Sequence, residues 1–101
     1  MIRRIIWTDP AERDMVRLVR ADSGIARRIY AAVQRFAETG RGDVKRLAGS
    51  RPPEYRLRVG DYRVRFQTRS ETGHDPASGA ETRTLVIEVL RILPRGGAYR
   101  D

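Results

Sequence analysis

Residues 54–67, EYRLRVGDYRVRFQ, alternate apolar and polar side chains on either side of Gly60-Asp61. Gly-Asp between two alternating runs is a two-residue hairpin signal. With Gly60 and Asp61 as the loop, Val59 pairs with Tyr62, Leu57 with Val64 and Tyr55 with Phe66. Strand side chains alternate, so these six share one face. The other face sets Arg58 against Arg63 and Arg56 against Arg65. Like charges directly opposite each other weaken a ladder, by up to about 1 kcal/mol per pair. Two such pairs on one face point to a negatively charged partner.

On the N-terminal side, IRRIIW (2–7) reads as a short first strand. Asp9 then reads as an N-cap, with Pro10 at N1 and Glu12 reaching back as in a capping box. Ala11, Met15, Leu18 and Val19 follow at helical spacing, predicting a helix over 10–21. A second helix starts at Asp22 or Ser23. Its apolar stripe runs through Ala26, Ile29, Tyr30, Val33, Phe36 and Ala37, and Gly40 ends it. The short joint makes the two helices an antiparallel hairpin. Residues 40–53, with Lys45, Arg46, Arg51 and Pro52-Pro53, read as a connecting loop.

On the C-terminal side, RSETGHDPASGAET (69–82) has the composition of an exposed, mobile loop. RTLVIEVLRI (83–92) is apolar enough for an interior strand buried on both faces. Pro94, Gly96 and Gly97 end regular structure. The predicted order is β-α-α-β-β-β in one domain, 1–101. This is an α+β fold, a mainly antiparallel twisted sheet with the helical hairpin packed on one face. The arginine face stays open. Trp7, Tyr30, Tyr55, Tyr62 and Phe66 are expected in the core, and Glu88 is expected to pair with an arginine.

The 21 basic residues against 13 acidic ones give a net charge of +8, and Lys45 is the one lysine. Such a charge attracts polyanions, nucleic acid first and an acidic protein second. Arginine suits bidentate phosphate contact. The chain has no cysteine and only one histidine, His74, so no Cys-based or His-based metal site and no histidine dyad is available. No apolar run approaches the roughly 20 residues that span a bilayer, and MIRRIIWTDP lacks the features of a signal peptide. The expected compartment is the cytoplasm.

The element order, the hairpin VGDYRVRF and the ending RILPRGGAYR resemble the RelE/ParE superfamily of bacterial and archaeal toxins from toxin–antitoxin pairs. The resemblance covers nearly the whole chain. It rests on the Gly-Asp-Tyr-Arg turn and on the terminal Arg-x-x-x-Tyr from Arg95 to Tyr99. It implies a type II toxin neutralised by a cognate antitoxin, for which an acidic segment suits this charge. RelE-like members cleave mRNA in the ribosomal A site beside ribosomal RNA, whereas ParE-like members inhibit DNA gyrase without nuclease chemistry. Matched by motif, the family's basic strand positions fall on Arg56 and Arg58, its hairpin arginine on Arg63, its arginine after the last strand on Arg95, and its terminal tyrosine on Tyr99.

The favoured reading is a ribosome-dependent mRNA endoribonuclease that uses no metal and no cofactor, with the gyrase inhibitor as alternative. RNA cleavage needs a base for the 2′-hydroxyl, positive charge at the phosphorane and an acid for the leaving 5′-oxygen. The expected catalytic set is Tyr99 as general base, with Arg63 and Arg95 clamping the scissile phosphate. Arg56, Arg58, Arg65, Lys45 and Arg46 form the expected RNA-binding set. RelE-like relatives often carry lysine where this chain has Arg56 and Arg58, and histidine where it has Pro94. The site is therefore rich in phosphate clamps and poor in proton donors.

Overall fold

The hairpin forms in the register its alternation dictates. In the computed structural model, which describes residues 2–49 and 51–96, strand β3 (Glu54–Val59) pairs antiparallel with β4 (Tyr62–His74). Tyr55 lies opposite Phe66, Leu57 opposite Val64, Arg56 opposite Arg65 and Arg58 opposite Arg63. Gly60 has φ 58° while no non-glycine residue among the described ones has positive φ, the pattern of a II′ turn.

The remaining elements are β1 (Ile2–Trp7), α1 (Asp9–Ala21), α2 (Ser23–Thr39), β2 (Asp43–Leu47) and β5 (Glu81–Pro94). One five-stranded sheet runs β1-β5-β4-β3-β2, with β1 parallel to β5 and every other pair antiparallel. The α+β fold and the one-sided helical hairpin are as predicted. None of the described helices is long and apolar enough to cross a membrane.

The core lies between the hairpin's apolar face and the helices. Leu57, Val64, Phe66, Ile87 and Val89 from the sheet meet Ala11 and Leu18 of α1 and Ala26, Ile29 and Val33 of α2. Phe66 sits 5.1 Å from Phe36 and 5.4 Å from Tyr55, ring centre to ring centre. Fully burying an aliphatic side chain such as Ile29 contributes about 1.5–3 kcal/mol, so this stripe holds the helices down. α2 starts at Asp22, whose Oδ1 accepts from Ile25 N–H, and ends at left-handed Gly40, whose N–H returns to Phe36 O at 2.8 Å.

Four expectations are corrected. Segment 40–53 contains β2, an edge strand pairing Asp43–Leu47 with Glu54–Arg58. Its side chains are exposed or half-buried, so DVKRL shows no apolar alternation. Segment 69–82 is not a mobile loop. β4 and β5 continue as a two-stranded ribbon to His74 and Glu81, closed by a turn in which Asp75 N–H donates to Ala80 O. Ladder hydrogen bonds hold this ribbon without an apolar face, so its polarity reads as loop. Tyr30 is not core; it is half exposed and stacks on Trp7 at 6.1 Å. Val19 likewise points outward.

The fourth correction is the cap of α1. Thr8, not Asp9, is the N-cap; its Oγ1 accepts from Ala11 N–H at 3.3 Å. The same hydroxyl donates toward Val89 O (2.9 Å) and Leu90 O (3.1 Å). Those carbonyls belong to an irregularity in β5, where Arg65 pairs with Arg91 and Phe66 with Val89, leaving Leu90 without a partner. One side chain thus starts a helix and satisfies a bulge. We expect Thr8→Ala to destabilise the fold by about 1–2 kcal/mol, read as a lower thermal midpoint.

Candidate functional site

The sheet face away from the helices carries the candidate site. Residues that pair across strands share a face, so Asp43, Arg58, Arg63 and Leu93 form one row and Lys45, Arg56 and Arg65 the next. Beyond them, Glu54 pairs with Gln67 and Gln67 with Glu88.

This face is more internally bonded than the alternation suggests. Of the four hairpin arginines only Arg58 is exposed; Arg56, Arg63 and Arg65 are 6–9% exposed. Arg63 Nη1 donates to Gly60 O and Tyr62 O, both at 3.0 Å, fastening the guanidinium to the turn. Arg65 donates to Glu54 Oε2 from Nε at 3.1 Å and from Nη2. Glu54 therefore offsets the repulsion between Arg65 and Arg56. Farther along the face, Arg69 bridges Glu71 and Glu88, and Arg4 reaches Glu71, each at 3.2 Å. Glu88 thus pairs with an arginine, as predicted.

Arg95 joins the same end of the sheet from elsewhere in the chain. Pro94 is opposite Tyr62, and Arg95 N–H donates to Asp61 O at 2.7 Å. That bond sets the residue after the last strand beside the turn that fixes Arg63. Lys45 lies opposite Arg56 and faces the same way, whereas Arg46 lies opposite Tyr55 and so belongs to the other face, at the sheet edge. Both are exposed. Tyr99, the expected general base, lies outside the described residues. No group of three or more His, Cys, Asp or Glu side chains that could hold a metal occurs among the described residues.

A buried clamp behind the site escaped the sequence reading. Asp14 of α1 is 7% exposed. Its Oδ2 accepts from Arg91 Nε at 2.8 Å and from Ile92 N–H at 2.9 Å, and its Oδ1 accepts from Arg17 at 2.6 Å. Burial alone raises the Asp14 pKa. The Arg91 and Ile92 hydrogen bonds and the charges of Arg91 and Arg17 outweigh it, leaving the carboxyl below its ordinary value. The signal was present in the buried series Ala11, Asp14, Leu18, a carboxylate at a core position. Its partner lies 77 residues away, and no local pattern names it.

The helical hairpin carries a second surface. Trp7, Met15, Val16, Val19 and Tyr30 line an apolar hollow of about 440 Å³, with Val16, Val19 and Tyr30 half exposed. Contiguous apolar exposure of this kind marks interaction surfaces.

Comparison with known proteins agrees with this architecture. No curated protein matches the chain. Among solved structures, the YoeB/ParE toxin from Agrobacterium tumefaciens superposes with a TM-score of 0.68 at 16% identity, covering 91% of this chain and 98% of that one. At that identity the likeness is one of fold. Residues 5–99 match the family described as ParE toxin of type II toxin–antitoxin system, parDE. The chain therefore belongs to the ParE toxin family of type II toxin–antitoxin systems, within the RelE/ParE superfamily.

Proposed function

We propose that this toxin inhibits translation by cleaving mRNA in the ribosomal A site, as a metal-independent endoribonuclease. The observation that carries the reading is the bond from Arg95 N–H to Asp61 O, which adds a fifth arginine to the four of the hairpin. In this reading the 2′-hydroxyl attacks the adjacent phosphate, and negative charge builds on its non-bridging oxygens. Exposed Arg58 and Arg95 hold those oxygens. Arg63 uses Nη1 on the turn carbonyls, so its Nε and Nη2 donors remain to face the developing charge from a fixed position. Arg56 and Lys45 grip the RNA backbone on the same face. Tyr99, four residues beyond Arg95 in sequence, is the proposed base. Arg65, bonded to Glu54, organises the face rather than binding phosphate.

A type II toxin has an antitoxin as its partner. We assign that partner an acidic segment able to neutralise the arginine face. One observation favours a second reading, a ParE-like gyrase inhibitor without nuclease chemistry. The apolar hollow on the helical hairpin suits a protein target better than RNA.

Mapping of RNA 5′ ends after brief expression tests the reading. New ends phased to codons within translated regions are expected. Intact messages, with DNA damage and loss of supercoiling, would overturn it in favour of gyrase.

A further inference from the structure

Some arginines of this chain lie against acidic side chains and others do not. Arg4, Arg17, Arg65, Arg69, Arg83 and Arg91 each lie within 4 Å of a carboxylate. Arg28, Arg35, Arg41 and Arg58 are among the exposed arginines that no carboxylate of the described residues pairs with. These four line a single groove of about 460 Å³ between α2 and the β2–β3 edge, with Asp43 the only carboxylate in its wall.

Local geometry explains how the groove forms. Arg28 and Arg35 are seven residues apart on α2, two turns along one side of the helix. Ala31 and Ala32 between them leave room for a ligand to approach. Arg41 follows directly after the Gly40 cap, where the chain leaves α2 for β2. At the other end, Arg28 Nη2 comes within 3.8 Å of where a Cβ on Gly60 would sit, which brings α2 up to the hairpin turn. Arg58 belongs both to this groove and to the arginine face, so the two surfaces join around the turn end of the sheet.

Four exposed arginines lining one groove give it a positive potential that attracts a polyanion. A folded acidic protein would place carboxylates at fixed points, whereas a nucleic-acid strand offers a repeating row of phosphates, and guanidinium forks match phosphate geometry. We propose that this groove is an RNA-backbone track, in which Arg28, Arg35 and Arg41 hold the single strand that continues from the arginine face past Arg58. The proposal rests on the reading of the toxin as RNA-directed. It concerns binding outside the cleavage site, so its test does not require cleavage.

The test uses the full-length protein and a labelled single-stranded RNA oligonucleotide. Its affinity is measured by fluorescence anisotropy between about 50 and 200 mM salt. Each lost phosphate contact lowers the slope of log affinity against log salt by about 0.7 for a single strand, so R28Q/R35Q/R41Q is expected to lower it by about 2. The variant R28K/R35K/R41K, which keeps the charge, retains most of the slope. A control, R13Q/R20Q/R83Q, removes equal charge elsewhere and has a much smaller effect. An unchanged slope in the glutamine variant, or an equal loss in the control, overturns the proposal. So does unchanged RNA binding together with lost binding of poly-glutamate, which would assign the groove to an acidic protein. A toxin that leaves ribosome-bound message uncut but shows the expected slopes refutes the cleavage reading alone.

Discussion

Asp14→Ala is expected to lower the stability of this toxin by about 3 kcal/mol, and its thermal midpoint by roughly 10–20 °C for a domain of this size. The substitution leaves the buried Ile92 N–H without its acceptor, and such a group costs about 1–3 kcal/mol. It also removes the charged hydrogen bonds to Arg91 and Arg17. Those side chains are 42% and 69% exposed, so water recovers much of their loss and they add little. Asp14→Asn keeps the shape and an acceptor for Ile92, and is expected to cost less than half as much.

The pH dependence of the two proteins separates charge from shape. The Asp14 pKa is lowered in the folded state, so its ionised form contributes stability at every pH above the unfolded value, about 3.9. That contribution is lost as pH falls through the lower folded value. The advantage of wild type over Asp14→Asn, measured by denaturant titration, should therefore be constant near neutrality and shrink below about pH 4. An advantage unchanged down to pH 2 would show that the carboxylate charge contributes nothing.

The second large effect falls on cleavage. Arg58→Gln and Arg95→Gln are each expected to slow message cutting about 100-fold, the scale of removing one donor from an oxyanion site. Both side chains are exposed, so the fold should be undisturbed. Arg13→Gln, on the far side of α1, carries the same charge change and should alter the rate less than about threefold, since distant charge acts only through screened long-range attraction. Primer extension on a single reporter message after induction measures all three. Equal rates for Arg58→Gln, Arg95→Gln and wild type would remove these arginines from the chemistry.

The parts of this account that were legible in sequence are those encoded by short-range periodicity. Alternation around Gly60-Asp61 was enough to pair Arg58 with Arg63, and the stripe Ala26, Ile29, Val33, Ala37 was enough to bury α2. β2 and the ribbon are not legible in sequence because backbone pairing is their main support, and ladder hydrogen bonds leave no mark on side-chain pattern. Asp9-Pro10 is also a good helix start, so the local sequence does not single out Thr8. What decided for Thr8 was the β5 bulge at Val89 and Leu90, which no local reading foresees. The site was legible as a set of arginines but not as a division of labour. Sequence places Arg56, Arg58, Arg63 and Arg65 on one face. Only the fold shows that Glu54 occupies Arg65, that the turn carbonyls occupy part of Arg63, and that Arg58 stands open. The Asp14 clamp and the groove of Arg28, Arg35 and Arg41 both depend on chain segments brought together from a distance.

The central claim is that the arginine face acts on RNA presented by the ribosome. Its most direct test is a purified translation system, with ribosomes stalled on a defined message and a chosen codon in the A site. The wild-type toxin is expected to cut that message at the A-site codon, to leave the same RNA intact without ribosomes, and to stop cutting when the antitoxin is added. Intact message on stalled ribosomes, with inhibition of gyrase supercoiling by the same preparation, would contradict it.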